Sequence, residues 1–322
     1  MRKLPDHVSR EHPIVTGRYA IFTPAIAACG DKLGGWLDNK ISGAYIYGPS
    51  RFGKTRAVQF FLKNLLEERL GGSLPLHIWI RPITFASAGE FYKSLLESVS
   101  HAYRKGRLSP TDRLIMLREF FLASADNCST TTVVLIIDEA QGMTTKEWLW
   151  LLSLQNLMDQ AGYVLTVFSI ATHQMAYEFD LLARTGNPHV AARFLVDQWK
   201  FPGVESEEEL GFILDGYDEQ SRWPVEGGVS YLEHFAPIDF SQRKRLSNVS
   251  TSMWRALVAL LPSDHEGEIT FPMKHIALAV EDVLFHLGFG ADWDEVTSEK
   301  AWVDFLTTHR LADHMRAIAL DV

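Results

Sequence analysis

Residues 43–55 read GAYIYGPSRFGKT, an apolar run followed by a loop that glycines bound. The run GAYIY predicts a short strand, and the next eight residues match the pattern G-x-x-x-x-G-K-[ST]. Apolar residues recur at helical spacing through residues 56–70, so the loop stands between a strand and a helix. In that context glycines let successive N–H groups turn toward phosphate oxygens, and the helix N-terminus adds positive charge. The predicted phosphate-binding residues are Gly48, Pro49, Ser50, Arg51, Phe52, Gly53, Lys54 and Thr55.

Two residues of this loop carry the predicted chemistry. Lys54 is expected to bridge the β- and γ-phosphates of ATP as a point charge. The hydroxyl of Thr55 is expected to coordinate Mg2+. ATP and Mg2+ are therefore the predicted cofactors.

An acidic pair follows the most hydrophobic segment of the chain. Residues 132–137, TVVLII, have the composition of a strand buried on both faces of a parallel sheet, and Asp138 and Glu139 come directly after it. The carboxyl edge of such a sheet is where ligands bind. We expect Asp138 to hold the metal and Glu139 to activate the water that attacks the γ-phosphate. The alternative is a pair of solvated carboxylates that cap the following helix.

The order of elements predicts an α/β fold with a parallel sheet and crossover helices. Predicted strands at residues 43–47, 76–80, 132–137, 163–170 and 194–201 alternate with helices. After Pro202 the pattern is mostly helical, with predicted helices at residues 207–217, 242–261, 271–287 and 298–319. We therefore expect a three-layer nucleotide-binding domain at residues 1–203, with an N-terminal segment at 1–40, and a helical lid at residues 204–322.

The bulk properties are those of a folded soluble protein. The chain has 322 residues, 47% of them hydrophobic, and a formal net charge of -9, which argues against a surface that attracts nucleic acid everywhere. A local basic patch stays possible. The two cysteines lack metal-ligand spacing, and no signal peptide or membrane span is predicted, so a cytoplasmic location is expected.

Beyond the loop and the acidic pair, the chain resembles AAA+ ATPases, and within them the TnsC/TniB type of transposition regulators. The resemblance also rests on the segments HPIVTGRYAIF at residues 12–22, DEAQ at 138–141 and NPHVAARF at 187–194. It implies a slow ATPase that oligomerises on double-stranded DNA and couples target-site selection to transposase recruitment. The implied partners are double-stranded DNA, a transposase, target-selection proteins and other copies of the chain. A helicase-loader-like adaptor and a signalling NTPase without a DNA role are the alternatives.

The same resemblance implies further site residues. The polar sensor after the fourth strand falls on Thr172, with His173 and Gln174 as neighbours that can replace it. The arginine finger that acts in the next subunit falls on Arg193, with Arg184 as the competitor. The lid sensor falls on Arg245 or Arg243, in a segment predicted to begin a helix. Residues 14–22 resemble the stretch that packs on adenine, without an assignment to single residues.

A basic segment is the predicted DNA contact. Residues 101–107 read HAYRKGR, so positive charge is concentrated there in an otherwise acidic protein. Contact between Arg104, Lys105 and Arg107 and DNA phosphates would not depend on base sequence. The alternative is a solvated turn between two helices.

Overall fold

The computed structural model describes residues 3–99, 108–262 and 267–319. The chain divides into two compact units. The sheet unit comprises Ala28–Pro49 and Lys54–Phe201, and the helical unit comprises Met1–Ala27, Ser50–Gly53 and Pro202–Val322. The sequence predicted a boundary near residue 203. The structure begins the second part of the helical unit at Pro202 and adds the N-terminal 27 residues to that unit.

Strands and helices are numbered separately in chain order. The strands are β1 (Gly43–Tyr47), β2 (Leu76–Ile80), β3 (Thr132–Asp138), β4 (Val164–Ala171), β5 (Asp197–Lys200), β6 (Arg222–Trp223) and β7 (Val229–Ser230). The helices up to residue 194 are α1 (Pro13–Thr16), α2 (Pro24–Asp38), α3 (Lys54–Phe60), α4 (Leu62–Leu70), α5 (Ala88–Ser98), α6 (Pro110–Asn127), α7 (Thr145–Gln160), α8 (Met175–Arg184) and α9 (Pro188–Phe194). The later helices are α10 (Glu207–Asp215), α11 (Tyr231–Phe235), α12 (Pro237–Ser241), α13 (Ser250–Ala259), α14 (Met273–Gly288), α15 (Trp293–Val296), α16 (Glu299–Thr308) and α17 (Leu311–Ala319).

The sheet unit contains a five-stranded parallel sheet with the order β2-β3-β4-β1-β5. This confirms the predicted α/β fold. In strand β3, Val133 to Ile137 are all fully buried, and Asp138 ends the strand at the edge of the sheet. Burial of such a run supplies the main stabilisation of the layer, at roughly 25 cal/mol per Å² of apolar surface.

The helix predicted for residues 56–70 is divided into α3 and α4. The division falls at Phe61, whose backbone has φ -126° and ψ -40°. Hydrogen bonds from Phe61 N–H to Ala57 O (3.0 Å) and from Leu65 N–H to Phe61 O (3.1 Å) continue across it. The division is therefore a local distortion of one helical segment and leaves the strand, loop and helix order intact.

The helical unit has its own apolar core. Val8, Ile14, Tyr19 and Ile21 of the N-terminal segment pack in one cluster with residues of α10, α11 and α14. The sequence placed this segment with the nucleotide-binding domain because it precedes β1. Its apolar side chains instead fill the space between helices that lie about two hundred residues later in the chain.

Two helices predicted in this unit have different bounds. The predicted helix at 298–319 is two helices, α16 and α17, because Arg310 adopts φ +60°, a left-handed conformation that ends a helix. The predicted helix at 242–261 begins only at Ser250, after a short 3-10 turn at Leu246–Val249. Within the described ranges, no helix is both long enough and apolar enough to cross a membrane.

Candidate functional site

The loop after β1 has the backbone that a phosphate-binding loop needs. Gly53 has φ +109°, an angle at which a residue with a side chain would be strained. Helix α3 begins at the next residue, Lys54. Gly48 lies so close to the chain at Phe201 that a Cβ atom would be 3.0 Å from that residue's carbonyl oxygen. The predicted glycines are thus required by conformation at one end of the loop and by close approach at the other.

Lys54 lies over the beginning of this loop. Its Nζ donates hydrogen bonds to the carbonyl oxygens of Gly48 and Pro49, both at 2.7 Å. Burial lowers the pKa of Lys54 to about 8, although the charges of Asp138 and Glu139 act in the opposite direction. Both carboxylates are therefore close enough to act on the lysine. A partly desolvated ammonium is a strong binder of anions.

Asp138 ends β3 in a buried position. Only 3% of its surface is exposed, and burial raises its pKa even though hydrogen bonds from the Thr55 side chain and the Glu139 backbone favour the carboxylate. A threonine hydroxyl beside an aspartate is a donor set that suits Mg2+, which uses few protein ligands and keeps waters or phosphate oxygens for the rest. Across residues 3–99, 108–262 and 267–319 there is no group of three or more His, Cys, Asp or Glu side chains that could hold a metal. Thr55 and Asp138 thus remain the candidate metal ligands.

Glu139 has an unusual backbone conformation for a residue with a side chain. It adopts φ +61° and ψ +36°, and its N–H donates to Asp138 Oδ1 at 3.0 Å. Left-handed backbone of this kind costs roughly 1–2 kcal/mol and is often found at functional sites. Glu139 does not cap a helix, which was the alternative interpretation of this residue. Its side chain makes no capping bond to the 3-10 turn that follows, and the cap of α7 is formed by Thr144 and Glu147.

Thr172 follows the last residue of β4, next to the end of β3 in the sheet. Its Oγ1 is buried and has no hydrogen-bond partner among the described residues. Its backbone N–H donates to Gln141 Oε1 at 3.3 Å. A buried hydroxyl that lacks a partner costs free energy unless a ligand supplies one. The role of Thr172 as a phosphate sensor stays a prediction.

The two finger candidates differ in how they are held. Arg193 donates to Gln155 Oε1 at 2.7 Å through Nε and forms an ion pair with Asp159 through Nη2. Arg184, in the last turn of α8, is exposed, and its side chain makes no hydrogen bond or ion pair to any other residue that the structure describes. Arg193 can reach another subunit only after it leaves a partly exposed ion pair, which costs about 0–1 kcal/mol.

The lid-sensor candidates lie in the turn before α13. Arg245 donates to Glu219 Oε1 at 2.7 Å and to two backbone carbonyls, and its guanidinium stacks on Phe240 at 3.6 Å. Arg243 is exposed and has φ +63°. The sequence placed both at the start of a helix, which is wrong because the helix begins later, at Ser250. Arg245 holds this turn together, and its role as a nucleotide sensor stays a prediction.

The tip of the loop, Ser50–Gly53, groups with the helical unit, where sequence reasoning missed two features. Lys274 N–H donates to Arg51 O at 3.1 Å, so an exposed lysine at the start of α14 lies against the loop. A small pocket lined by Thr23, Pro24, Phe52, Gly203 and Met273, among others, lies within the same unit. Ile14 and Ile21, from the stretch that resembles an adenine-packing segment, belong to the core of the unit. The fold brings Lys274 near the loop from more than two hundred residues away, so no local pattern could have found it.

The predicted DNA contact cannot be placed. Arg104, Lys105 and Arg107 lie outside the described residues, between α5 and α6. Their role stays a prediction from the sequence.

Comparisons with known proteins agree with this fold. Residues 42–176 match the family described as AAA domain, a span that contains the loop, the acidic pair and Thr172. A search among curated proteins gives no significant match. Among solved structures, the ORC2 protein of Aeropyrum pernix in its ADPNP-ADP complexes gives a TM-score of 0.59 at 14% identity and covers 94% of this chain and 72% of that chain. The ADP form of the same protein gives a TM-score of 0.56 at 14% identity and covers 89% of this chain and 68% of that chain.

A third solved structure, Drosophila ORC bound to DNA, gives a TM-score of 0.50 at 16% identity and covers 92% of this chain and 67% of that chain. At such identities the likeness shows the fold alone. The fold is that of the AAA+ P-loop NTPases, with a five-stranded parallel sheet and helices around it.

Proposed function

We propose that this protein is an ATP-dependent molecular switch that binds and slowly hydrolyses ATP. The observation that carries the proposal is the meeting of Lys54, Thr55, Asp138 and Glu139 at the carboxyl edge of the sheet. These residues supply the cation, the metal ligands and the base that phosphoryl transfer to water requires. The orphaned hydroxyl of Thr172 adds a donor for the γ-phosphate.

Each residue has a defined role in this proposal. Lys54 binds the β- and γ-phosphates, and the loop N–H groups bind the remaining oxygens. Thr55 and Asp138 hold Mg2+, which supplies positive charge against the charge that develops on the phosphates. Glu139 accepts the proton of the attacking water. Thr172 contacts the γ-phosphate, and Arg245 or Arg243 is proposed as a nucleotide sensor.

We further propose that the ATP state assembles on double-stranded DNA. The support is the basic segment of Arg104, Lys105 and Arg107, since a local cluster of positive charge in a protein of net charge -9 can bind phosphates where the rest of the surface repels them. The DNA in the Drosophila ORC structure shows a protein of this fold bound to DNA. The finer proposal is a regulator that couples target-site selection to transposase recruitment. It rests on the resemblance of the sequence to TnsC/TniB proteins.

Replacing Arg104, Lys105 and Arg107 together with alanine is expected to weaken DNA binding equally for all base sequences. Each lost phosphate contact should reduce the slope of log affinity against log salt by about 0.9. The measurement is DNA affinity by fluorescence anisotropy over a range of salt concentrations, with ATP present. A matched control is the triple alanine variant of Lys63, Lys93 and Arg118, which removes the same charge from helices of the sheet unit. An unchanged slope in the first variant, with assembly intact, would return residues 101–107 to the role of a solvated turn.

A finger that acts in the next subunit makes a prediction about mixtures of variants. Arg193→Ala should bind ATP and hydrolyse it roughly a thousandfold more slowly, because the developing charge on the γ-phosphate loses a fixed donor. Lys54→Ala should be inactive. In an equal mixture, about a quarter of the heterologous interfaces pair an intact loop with an intact Arg193, so up to that share of the wild-type rate should return.

The structure provides the controls for this experiment. Asp159→Asn breaks the ion pair of Arg193 without removing the arginine, so it should keep most of the rate. Arg184→Ala is tested in the same mixtures, because Arg184 is the exposed candidate. If the Arg193→Ala mixture recovers nothing while the variants co-assemble, and the Arg184→Ala mixture recovers activity, the finger is Arg184.

A further inference from the structure

Gln141 links the two strand ends that carry the proposed catalytic groups. It lies half-buried in the 3-10 turn Ala140–Gly142 directly after the acidic pair. Its Nε2 donates to Glu139 Oε2 at 2.6 Å, and its Oε1 accepts a hydrogen bond from Thr172 N–H at 3.3 Å. The amide therefore joins the residue after β3 to the residue after β4.

The orientation of the Gln141 amide follows from its two partners. A carboxylate can only accept a hydrogen bond, and a backbone N–H can only donate one. The NH2 group must then face Glu139, and the oxygen must face Thr172. Turning the amide over would place its oxygen against the carboxylate and its NH2 group against an N–H, so both contacts select the same orientation.

The turn that carries Gln141 is itself fixed by buried contacts. Arg81 N–H donates to Asp138 O at 3.1 Å, and its Nη2 donates to both carboxylate oxygens of Glu147 at 3.1 Å. Glu147 is fully buried and also accepts from Thr144, which caps α7. At Gly142 a Cβ atom would lie 2.6 Å from the Arg81 guanidinium, so the turn packs directly against this ion pair. Gln141 thus extends from a rigid base.

Glu139 needs such a partner. Its side chain is exposed and has several rotatable bonds, so without a fixed contact it would sample many orientations. In the orientation held by Gln141, its charge still acts on Lys54. The contact therefore keeps the carboxylate near the proposed phosphate site.

We propose that Gln141 is the positioning residue for Glu139. It holds Oε2 of the Glu139 carboxylate and leaves Oε1 of the same carboxylate to accept the proton of water. It also ties that orientation to the end of β4 through its hydrogen bond with Thr172. This inference rests on the proposed ATP hydrolysis. In this role Gln141 acts through Glu139, so its loss should change the rate of the chemical step and leave ATP binding unchanged.

The test is Gln141→Met, which keeps the length of the side chain and removes both hydrogen bonds. We expect kcat to fall about ten- to a hundredfold, the cost of a misplaced catalytic group, with KM and the Kd for ATP unchanged. Gln160→Met is the matched control, because it makes the same chemical change at an exposed position at the end of α7. Gln141→Ala is measured beside it, so that the result does not depend on how methionine packs. Wild-type kcat in both Gln141 variants would overturn the proposal, as would a loss that appears as weaker ATP binding.

A double-mutant cycle with Glu139→Gln separates this proposal from the proposed hydrolysis itself. If Gln141 acts through Glu139, Gln141→Met should cause no further loss in the Glu139→Gln protein, and residual hydrolysis is measured with radiolabelled ATP. A full additional loss would show that Gln141 acts independently, which overturns its role as a positioning residue. A wild-type rate in Glu139→Gln alone would instead overturn the proposed mechanism of hydrolysis.

Discussion

Lys54→Ala is expected to weaken ATP binding by at least about a hundredfold, because a charge-assisted bond to the phosphates is lost from a partly desolvated site. Lys54 is the residue whose ammonium is held over the loop by the carbonyls of Gly48 and Pro49. Burial lowers its pKa to about 8, so at pH 7 most of the lysine is protonated and the assay measures loss of the charged form. The measurement is calorimetric titration with ATP and Mg2+.

Lys63→Ala is the control for this prediction. Lys63 is an exposed lysine on α4 that pairs with Glu67, and its loss changes the net charge by the same amount. Its ATP affinity should equal that of the wild type. If Lys54→Ala also binds ATP with wild-type affinity, the loop is not the nucleotide site.

Glu139→Gln is expected to lower the rate of ATP hydrolysis by about 10²–10⁴-fold, the usual contribution of a general base. The amide keeps the size of the side chain and cannot accept the proton of the attacking water. ATP binding should persist, because Glu139 contributes no predicted contact to the phosphates. The ATP-bound state should therefore last longer, which is measured as a longer lifetime of the complex with DNA and as a lower rate of phosphate release.

Glu97→Gln is the matched control, since Glu97 is an exposed carboxylate on α5 that pairs with Lys93. It should hydrolyse ATP at the wild-type rate. Hydrolysis at that rate in Glu139→Gln as well would remove Glu139 from the chemical step.

The sheet unit could be predicted from sequence to a large extent because its signals are local. The run TVVLII at 132–137 is apolar at every position but one, and the structure buries its residues and ends the strand at Asp138. A parallel sheet places all carboxyl ends at one edge, so the meeting of Lys54 and Asp138 follows once both strands are found. The match to G-x-x-x-x-G-K-[ST] adds a requirement on backbone conformation that Gly53 fulfils.

The helical unit was predicted less well because its bounds depend on single residues and on distant contacts. Arginine has no preference for a positive φ, so the residue types of Arg310 and Arg243 do not predict the left-handed backbone that both adopt. At these residues the observed helix bounds differ from the predicted ones. The N-terminal segment joins this unit through Ile14 and Ile21, whose partners lie far away in the chain. Tertiary packing of this kind overrides local preference.

Partners of single side chains were also beyond the sequence. The resemblance singled out Arg193 and Arg245, but their bonds to Asp159 and Glu219 arise from the fold. The same holds for Gln141, which the sequence shows only as the fourth letter of DEAQ and which the fold places between Glu139 and Thr172.

Electron microscopy of the purified protein with duplex DNA tests the central claim, ATP-dependent assembly on DNA, most directly. Wild-type protein is imaged with ATP and Mg2+ and without nucleotide, and Lys54→Ala is imaged with ATP and Mg2+. The account predicts rings or helical filaments on the DNA in the first sample and dispersed particles in the other two, because the subunits need bound ATP to assemble. Equal assembly with and without ATP, or dispersed particles in all three samples, would contradict it.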